Sequence, residues 1–191
     1  LRDFIQSDID DRLYWETIEN EWQLWDAPWE YEGKEENELK RDLERYKNKM
    51  LLWATKQMSE SNLRTGFQIC INDDTRTYIG WCNSYNINEN FEIIQTKGYS
   101  AIGINIPVMT ARGKGFAASA LVMFIHYLIK NGENEIYTQT WSGNKPMIGL
   151  AGKIGFEECR RKSNIHKVRG EIFDDLTFKL NMEKFYKFSD H

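Results

Sequence analysis

The residues best suited to chemistry lie in one stretch, Ala111-Arg112-Gly113-Lys114-Gly115-Phe116-Ala117. It separates an apolar, strand-like run, Ala101 to Pro107, from a helical run, Ala118 to Lys130. A helix start leaves backbone N–H groups without partners, and its dipole favours an anion there. Gly113 and Gly115 remove the side chains that would hold a phosphate away from the backbone. Arg112 and Lys114 add positive charge. The chemistry implied is capture of a phosphate on backbone amides.

Three phosphate-binding spacings can be laid on this turn. A Walker A loop needs Gly-x4-Gly-Lys-Ser/Thr. Set on Gly113-Lys114, it puts Val108 at the first glycine and Gly115 where the magnesium-binding hydroxyl belongs, so it fails. A dinucleotide fingerprint fits the letters Gly113, Gly115 and Ala118. Its surroundings do not fit: Pro107 to Arg112 intervenes after the strand, and the next strand ends Thr140-Trp141-Ser142 without an acidic residue. The third spacing is Arg-x-x-Gly-x-Ala, read as Arg112, Gly115 and Ala117.

The elements that position this turn follow from periodicity. Residues 8–20 read as a short helix with Asp8 as N-cap. Gly33 to Met58 reads as a long amphipathic helix with Leu39, Leu43, Tyr46, Met50 and Trp53 on its apolar stripe. Strands are predicted over Thr65–Ile71, Thr77–Tyr85, Tyr99–Pro107, Glu135–Trp141, Phe156–Arg161 and Asp175–Leu180, with a short one at Phe91–Ile94. Helices follow over Ala118–Lys130 and Asn144–Lys153. The span from Tyr99 to Trp141 is long and helical enough to join two parallel strands. The fold class is α/β (α+β). A mixed, mostly antiparallel twisted sheet of about six to seven strands is expected, with helices on both faces.

The chain has 191 residues, 41% apolar and 28% charged, which suits one globular domain, 1–188, with 189–191 as a tail. A net charge of −4 gives no electrostatic support for a nucleic-acid partner. No apolar run reaches the ~20 residues that span a bilayer, so no membrane role is expected. Cys70, Cys82 and Cys159 are odd in number and far apart. They make no metal-ligand cluster, and reduced thiols in a cytoplasmic protein are the plain reading.

A second set of residues suggests a site for an amine. Trp22, Trp25, Trp29 and Tyr31 interleave with Glu21, Asp26, Glu30 and Glu32. Aromatic faces with carboxylates attract ammonium groups. Packing of the helices onto the sheet is the equal alternative. Pro28 fixes a turn between Trp25 and Trp29, which makes those two the pocket candidates, while Trp81 reads as core. Asn83, Tyr85 and Glu92 lie near the third strand's end or in the loop beside it. His126 reads as a packed or rim histidine, His166 as a solvated loop histidine before it is a base, and His191 as tail.

The Arg112-x-x-Gly115-x-Ala117 spacing resembles the acyl-CoA-binding motif of the GNAT superfamily of N-acetyltransferases. Gly103-Ile104-Asn105-Ile106 resembles the family's central strand. Trp141-Ser142-Gly143-Asn144 with Lys153-Ile154-Gly155-Phe156 resembles its second motif. Leu1-Arg2-Asp3-Phe4 with Ser7-Asp8, and Arg169-Gly170-Glu171 with Asp174-Asp175-Leu176, are similar to the opening and the last hairpin of the branch containing ribosomal-protein alanine acetyltransferases. The order and spacing hold across essentially the whole chain.

The resemblance implies acetyl-CoA wedged into a V between the strands Tyr99–Pro107 and Glu135–Trp141. It implies pyrophosphate on the N–H groups of Gly113, Lys114, Gly115, Phe116 and Ala117, and a pantetheine arm paired with Ile106 and Val108. Asn144 would hold the arm from the other side. A backbone N–H near Ile106–Val108 would face the oxyanion; Pro107 has none to offer. Trp25, Trp29, Asn83 and Tyr85 would border a small-molecule or peptide amine such as a peptide N-terminus, polyamine or amino sugar. One departure stands out: Ala151 occupies the slot where many members carry a tyrosine that protonates the leaving thiolate. Water or Ser142 could replace it. The alternative it raises is a non-catalytic acyl-CoA-binding regulatory domain, monomer or homodimer in either case.

Overall fold

A computed structural model describes residues 1–55 and 63–190. The chain opens with helix α1 (Asp8–Thr17), two 3-10 turns (Glu21–Leu24 and Pro28–Glu30) and helix α2 (Glu36–Thr55). Strands β1 (Gly66–Cys70), β2 (Tyr78–Ile87), β3 (Ile93–Ile94) and β4 (Tyr99–Asn105) follow. Helix α3 (Phe116–Lys130) crosses over to β5 (Ile136–Trp141). Then come α4 (Lys145–Ile154), β6 (Phe156–Val168), β7 (Glu171–Leu180) and α5 (Met182–Ser189).

Seven strands make one sheet in the order β1-β2-β4-β5-β7-β6, with β3 beside β2. Among the described residues, only β4 and β5 run parallel, as the long crossover requires. One face carries the main core, where Ile69, Ile79, Cys82, Ile102, Leu176 and Phe178 meet Leu121, Phe124 and Leu128 of α3. The other face packs Trp81 against Trp15 of α1 and Trp22, which makes Trp81 core as expected. A register shift against Ile69–Cys70 leaves Ile79 without a ladder partner. Such a bulge reverses the alternation, so Ile79 and Cys82 share the main core while Tyr78 and Trp81 share the tryptophan cluster.

Several expectations change. Asp8 does not cap α1. It is buried within the helix, where its carboxylate accepts from the Ile5 N–H at 2.9 Å and from Arg2 at 2.6 and 2.7 Å. The opening strand reduces to one bridge, Arg2 to Gln68. Helix α2 starts at Glu36, and residues 56–58 of the longer predicted helix lie outside the described residues. The strand predicted to Pro107 ends at Asn105. The last hairpin is longer than expected, so His166 stands on a strand, not a loop. Ser189 belongs to α5, which the sequence reading left out.

Behind the tryptophan cluster, Arg12 is 4% exposed. Its guanidinium lies 3.4 Å from the Trp81 ring centroid and donates to Tyr78, Tyr46 and Gln68. One turn on, Glu16 accepts from Gln23 at 3.0 Å, and burial pushes its carboxyl up to about 7. Free glutamate titrates near ~4.3. The folded state therefore holds a proton that the unfolded chain has lost across that window, and stability falls as pH rises through it. Glu16→Gln removes the penalty. Urea unfolding should find the variant more stable by roughly 2 kcal/mol at pH 8, the value a partly solvated carboxyl supports, and unchanged at pH 4.

Candidate active site

The parallel pair opens into a V. β4 and β5 are in register from Ser100↔Ile136 to Ile102↔Thr138 and no further. Beyond that point each arm is held by its outer neighbour: Asn105 pairs with Trp81 of β2, and Trp141 pairs with Asp175 of β7. The buried Thr138 hydroxyl donates to the Ile102 carbonyl at 2.8 Å and closes the apex. A cleft of about 960 Å³ fills the V. Residues of both sheet faces line it, so it passes through the gap.

On the core face the cleft meets the glycine turn. A 3-10 turn, Met109–Ala111, leads to Gly113 at φ +72° and Gly115 at φ +87°. Among the described residues, no backbone N–H from Gly113 to Ala118 donates a hydrogen bond. That run of free donors at the start of α3 suits an anion. Gly113, Gly115, Phe116 and Ala117 line the cleft, whereas Lys114 is exposed outside the lining. Ile106 lines it too, and Val108 packs behind it between the main core and the tryptophan cluster. The N–H groups of Ile106 and Val108 make no hydrogen bond among the described residues, and of the two only Ile106 lines the cleft.

Arg112 does something other than the sequence suggests. Its guanidinium turns back on its own loop and donates to the Ile106 carbonyl at 2.8 Å, the Pro107 carbonyl at 3.3 Å and Glu21 at 2.5 Å. It clamps the segment from Ile106 to Arg112 rather than aiming charge at an anion. Lysine keeps the charge but lacks the fork. Arg112→Lys should therefore melt earlier, by about 4–8 °C for ~2 kcal/mol, and bind acyl-CoA more weakly. A variant with unchanged melting but weakened binding would return Arg112 to the role of an electrostatic anchor.

Asn144 is committed in a similar way. Its Oδ1 accepts from the Met147 N–H at 3.1 Å and caps α4, while Nδ2 donates to the Trp25 carbonyl at 2.9 Å. The Trp141 indole donates to that same carbonyl at 2.8 Å. Ala151 is fully buried in the main core. The α4 residues that line the cleft are Pro146, Met147, Leu150 and Lys153, together with the cap Asn144. Ser142, the suggested substitute, accepts from the Asp174 N–H and is not part of the lining.

On the other face, two cross-strand rungs form the floor. One is Gln139–Thr177–Arg160 and the other Trp141–Asp175–Lys162. Directly opposed residues point to the same side of a sheet, and all six line the cleft. Gln139 donates to Thr177 at 3.2 Å and to the Phe91 carbonyl at 2.8 Å, and accepts from Tyr85 at 3.3 Å. Burial holds the Tyr85 phenol above its usual range. Asn83, Trp25 and Trp29 also line the cleft. Trp25 donates to Glu21 at 2.7 Å.

The sequence reading missed most of this floor. Asp26 accepts from Asn105 at 3.0 Å at the end of β4. Solvent reaches it through the cleft mouth, yet the surrounding protein raises its pKa. Arg160, Lys162, Gln139, Thr177 and Asp175 were legible only as the polar half of alternating strands. His126 is exposed on α3 beside Phe185, away from the cleft.

The molecule is an α/β fold whose sheet is split at a parallel pair, with an amide-lined turn at one mouth. The chain belongs to the GNAT acetyltransferase family: the Acetyltransferase (GNAT) domain profile matches residues 1–157. It is an acyltransferase. It is 25% identical over 140 residues to the SPbeta prophage-derived uncharacterized N-acetyltransferase YokL of Bacillus subtilis (strain 168), covering 72% of each chain. Its fold is similar to that of the ribosomal-protein-alanine N-acetyltransferase from Brucella melitensis, with a TM-score of 0.59 and 18% identity over 93% of this chain and 96% of that one. It is also similar to the spermidine N-acetyltransferase from Vibrio cholerae in complex with CoA and spermine, with a TM-score of 0.64 and 18% identity over 97% and 96%. Among the described residues, no helix is long and apolar enough to cross a membrane.

Proposed function

We propose that the protein moves an acetyl group from acetyl-CoA to a primary amine, on a small molecule or a peptide, by direct attack. The observation that carries this reading is the splayed β4–β5 pair with unpartnered N–H groups from Gly113 to Ala118 at its core-face mouth. Acetyl-CoA supplies the activated thioester. Gly113, Gly115, Phe116 and Ala117 would hold its pyrophosphate, and Ile106 would offer its N–H to the arm. Negative charge developing on the thioester oxygen needs a fixed donor, and the Ile106 and Val108 N–H groups are the candidates. A thiol of pKa near ~8.5 leaves without a strong acid, so Ala151 does not bar turnover.

The acceptor would occupy the opposite limb, between Trp25, Trp29, Asn83 and Tyr85, with the Asp26 carboxyl as its ammonium anchor. The cofactor half of this reading is tested by melting the protein with acetyl-CoA, CoA, NADH and ATP. Acetyl-CoA and CoA should raise the melting temperature and NADH should not. A protein stabilised by NADH and not by acetyl-CoA would overturn the assignment.

A further inference from the structure

Among the described residues, His166 is the only imidazole lining the cleft, and its surroundings fix its orientation. The ring lies flat on Trp29, with centroids 3.4 Å apart and planes within 6°. Its Nε2 is 2.5 Å from Asp175 Oδ1, and the side chain is 15% exposed. With the Nε2 proton donated to Asp175, Nδ1 carries the free lone pair. Among the described residues Nδ1 makes no hydrogen bond. Asp175 stands directly across the ladder from Trp141, the last residue of the β5 arm. The dyad thus lies one cross-strand step from the open V. The charged groups lining this side are Asp175, Lys162, Arg160, Asp26 and Glu92.

We propose that His166 is the general base that deprotonates the acceptor, with Asp175 and Trp29 as positioning residues. The inference rests on the acetyltransferase reading above. In the step, an N–H bond of the ammonium breaks and its proton passes to Nδ1. The freed lone pair forms the N–C bond to the thioester carbonyl carbon. The C–S bond then breaks, and sulfur leaves with the electron pair. The second amine proton reaches that sulfur through water and gives the CoA thiol, and His166 returns its own proton to solvent.

An alkyl amine of pKa near ~10.4 is only about one part in a thousand free at neutral pH, whereas an α-amine near ~8 is roughly a tenth free. The base therefore matters most for the alkyl amine. The test compares kcat and KM from pH 6 to 10 for wild type, His166→Gln and Asp175→Asn, with spermidine and an alanine-headed tripeptide as acceptors. For whichever acceptor turns over, His166→Gln should cut kcat about a hundredfold or more at neutral pH for spermidine, and about tenfold for the tripeptide. The loss should shrink toward pH 10, where the amine frees itself, and acetyl-CoA affinity should be unchanged. Asp175→Asn should lose less, in the same direction.

A His166→Gln enzyme within threefold of wild type, or one equally impaired at pH 6 and pH 10, would overturn the proposal. Equal impairment would mean that the histidine merely packs. A wild-type protein that binds acetyl-CoA and acetylates neither amine would sink the proposal for polyamine and peptide α-amine acceptors, while leaving the acetyl-CoA half of the reading standing. An active wild type with an unaffected variant would sink the base alone.

Discussion

Gly115→Val should abolish the stabilisation expected from acetyl-CoA while leaving the protein folded. The reason is conformational. Gly115 precedes α3 at φ +87°, and nothing lies within 4 Å of a Cβ built there. Space is therefore available, but a β-branched residue in the left-handed region costs on the order of 1–2 kcal/mol. To relieve that strain the turn must rotate, and the N–H groups of Phe116 and Ala117 rotate with it. The variant should melt a few degrees lower and bind acetyl-CoA at least about a hundredfold more weakly, ~2.7 kcal/mol. Titration calorimetry on the folded variant checks this. Affinity equal to wild type would mean that the turn is not the pyrophosphate cradle.

Gly80→Ala should have the larger effect on the fold. Gly80 lies in β2 beneath the end of β4, and an added Cβ would sit 2.1 Å from the Asn105 carbonyl oxygen and 3.0 Å from the Ile106 Cα. Both obstacles are backbone, so no side chain can swing aside. Forced overpacking of this kind costs roughly 3 kcal/mol, about 6–12 °C in melting temperature for a chain of this size. It also displaces the arm that holds Asp26 through Asn105 and presents the Ile106 N–H. Acetyl transfer should fail even well below the melting point. A calorimetric scan and a thiol-release assay read the two effects, and a variant that melts and turns over like wild type would contradict the close approach of the two strands.

The elements visible in the sequence were those with unbroken local alternation. Ile102, Ile104 and Ile106 announced β4, and Leu121, Phe124, Ile125 and Leu128 announced α3. β6 was hidden past Arg161 because it is mostly solvent-exposed, and a register irregularity between Lys162 and His166 breaks its period. Asn164 within it takes φ +60°, which sequence alone reads as a turn. That one omission turned His166 into a loop residue and kept it apart from Trp29 and Asp175.

In the site, spacing was legible and direction was not. Arg112, Asn144 and Ala151 fall at the motif positions. Yet the guanidinium of Arg112 grips carbonyls, the amide of Asn144 is shared between a cap and Trp25, and Ala151 faces the core. Which way a side chain turns depends on partners distant in sequence, such as Glu21 for Arg112 and Trp25 for Asn144.

The central claim is acetyl transfer from acetyl-CoA to an amine through the split sheet. Its most direct test is thiol release from acetyl-CoA by the purified protein against a panel of peptide α-amines, polyamines and amino sugars, with mass spectrometry of the acceptors. At least one amine should accelerate thiol release and gain a single acetyl group, and Gly115→Val should do neither. Acetyl-CoA bound by the wild-type protein, with no amine in the panel acetylated above background, would contradict the claim.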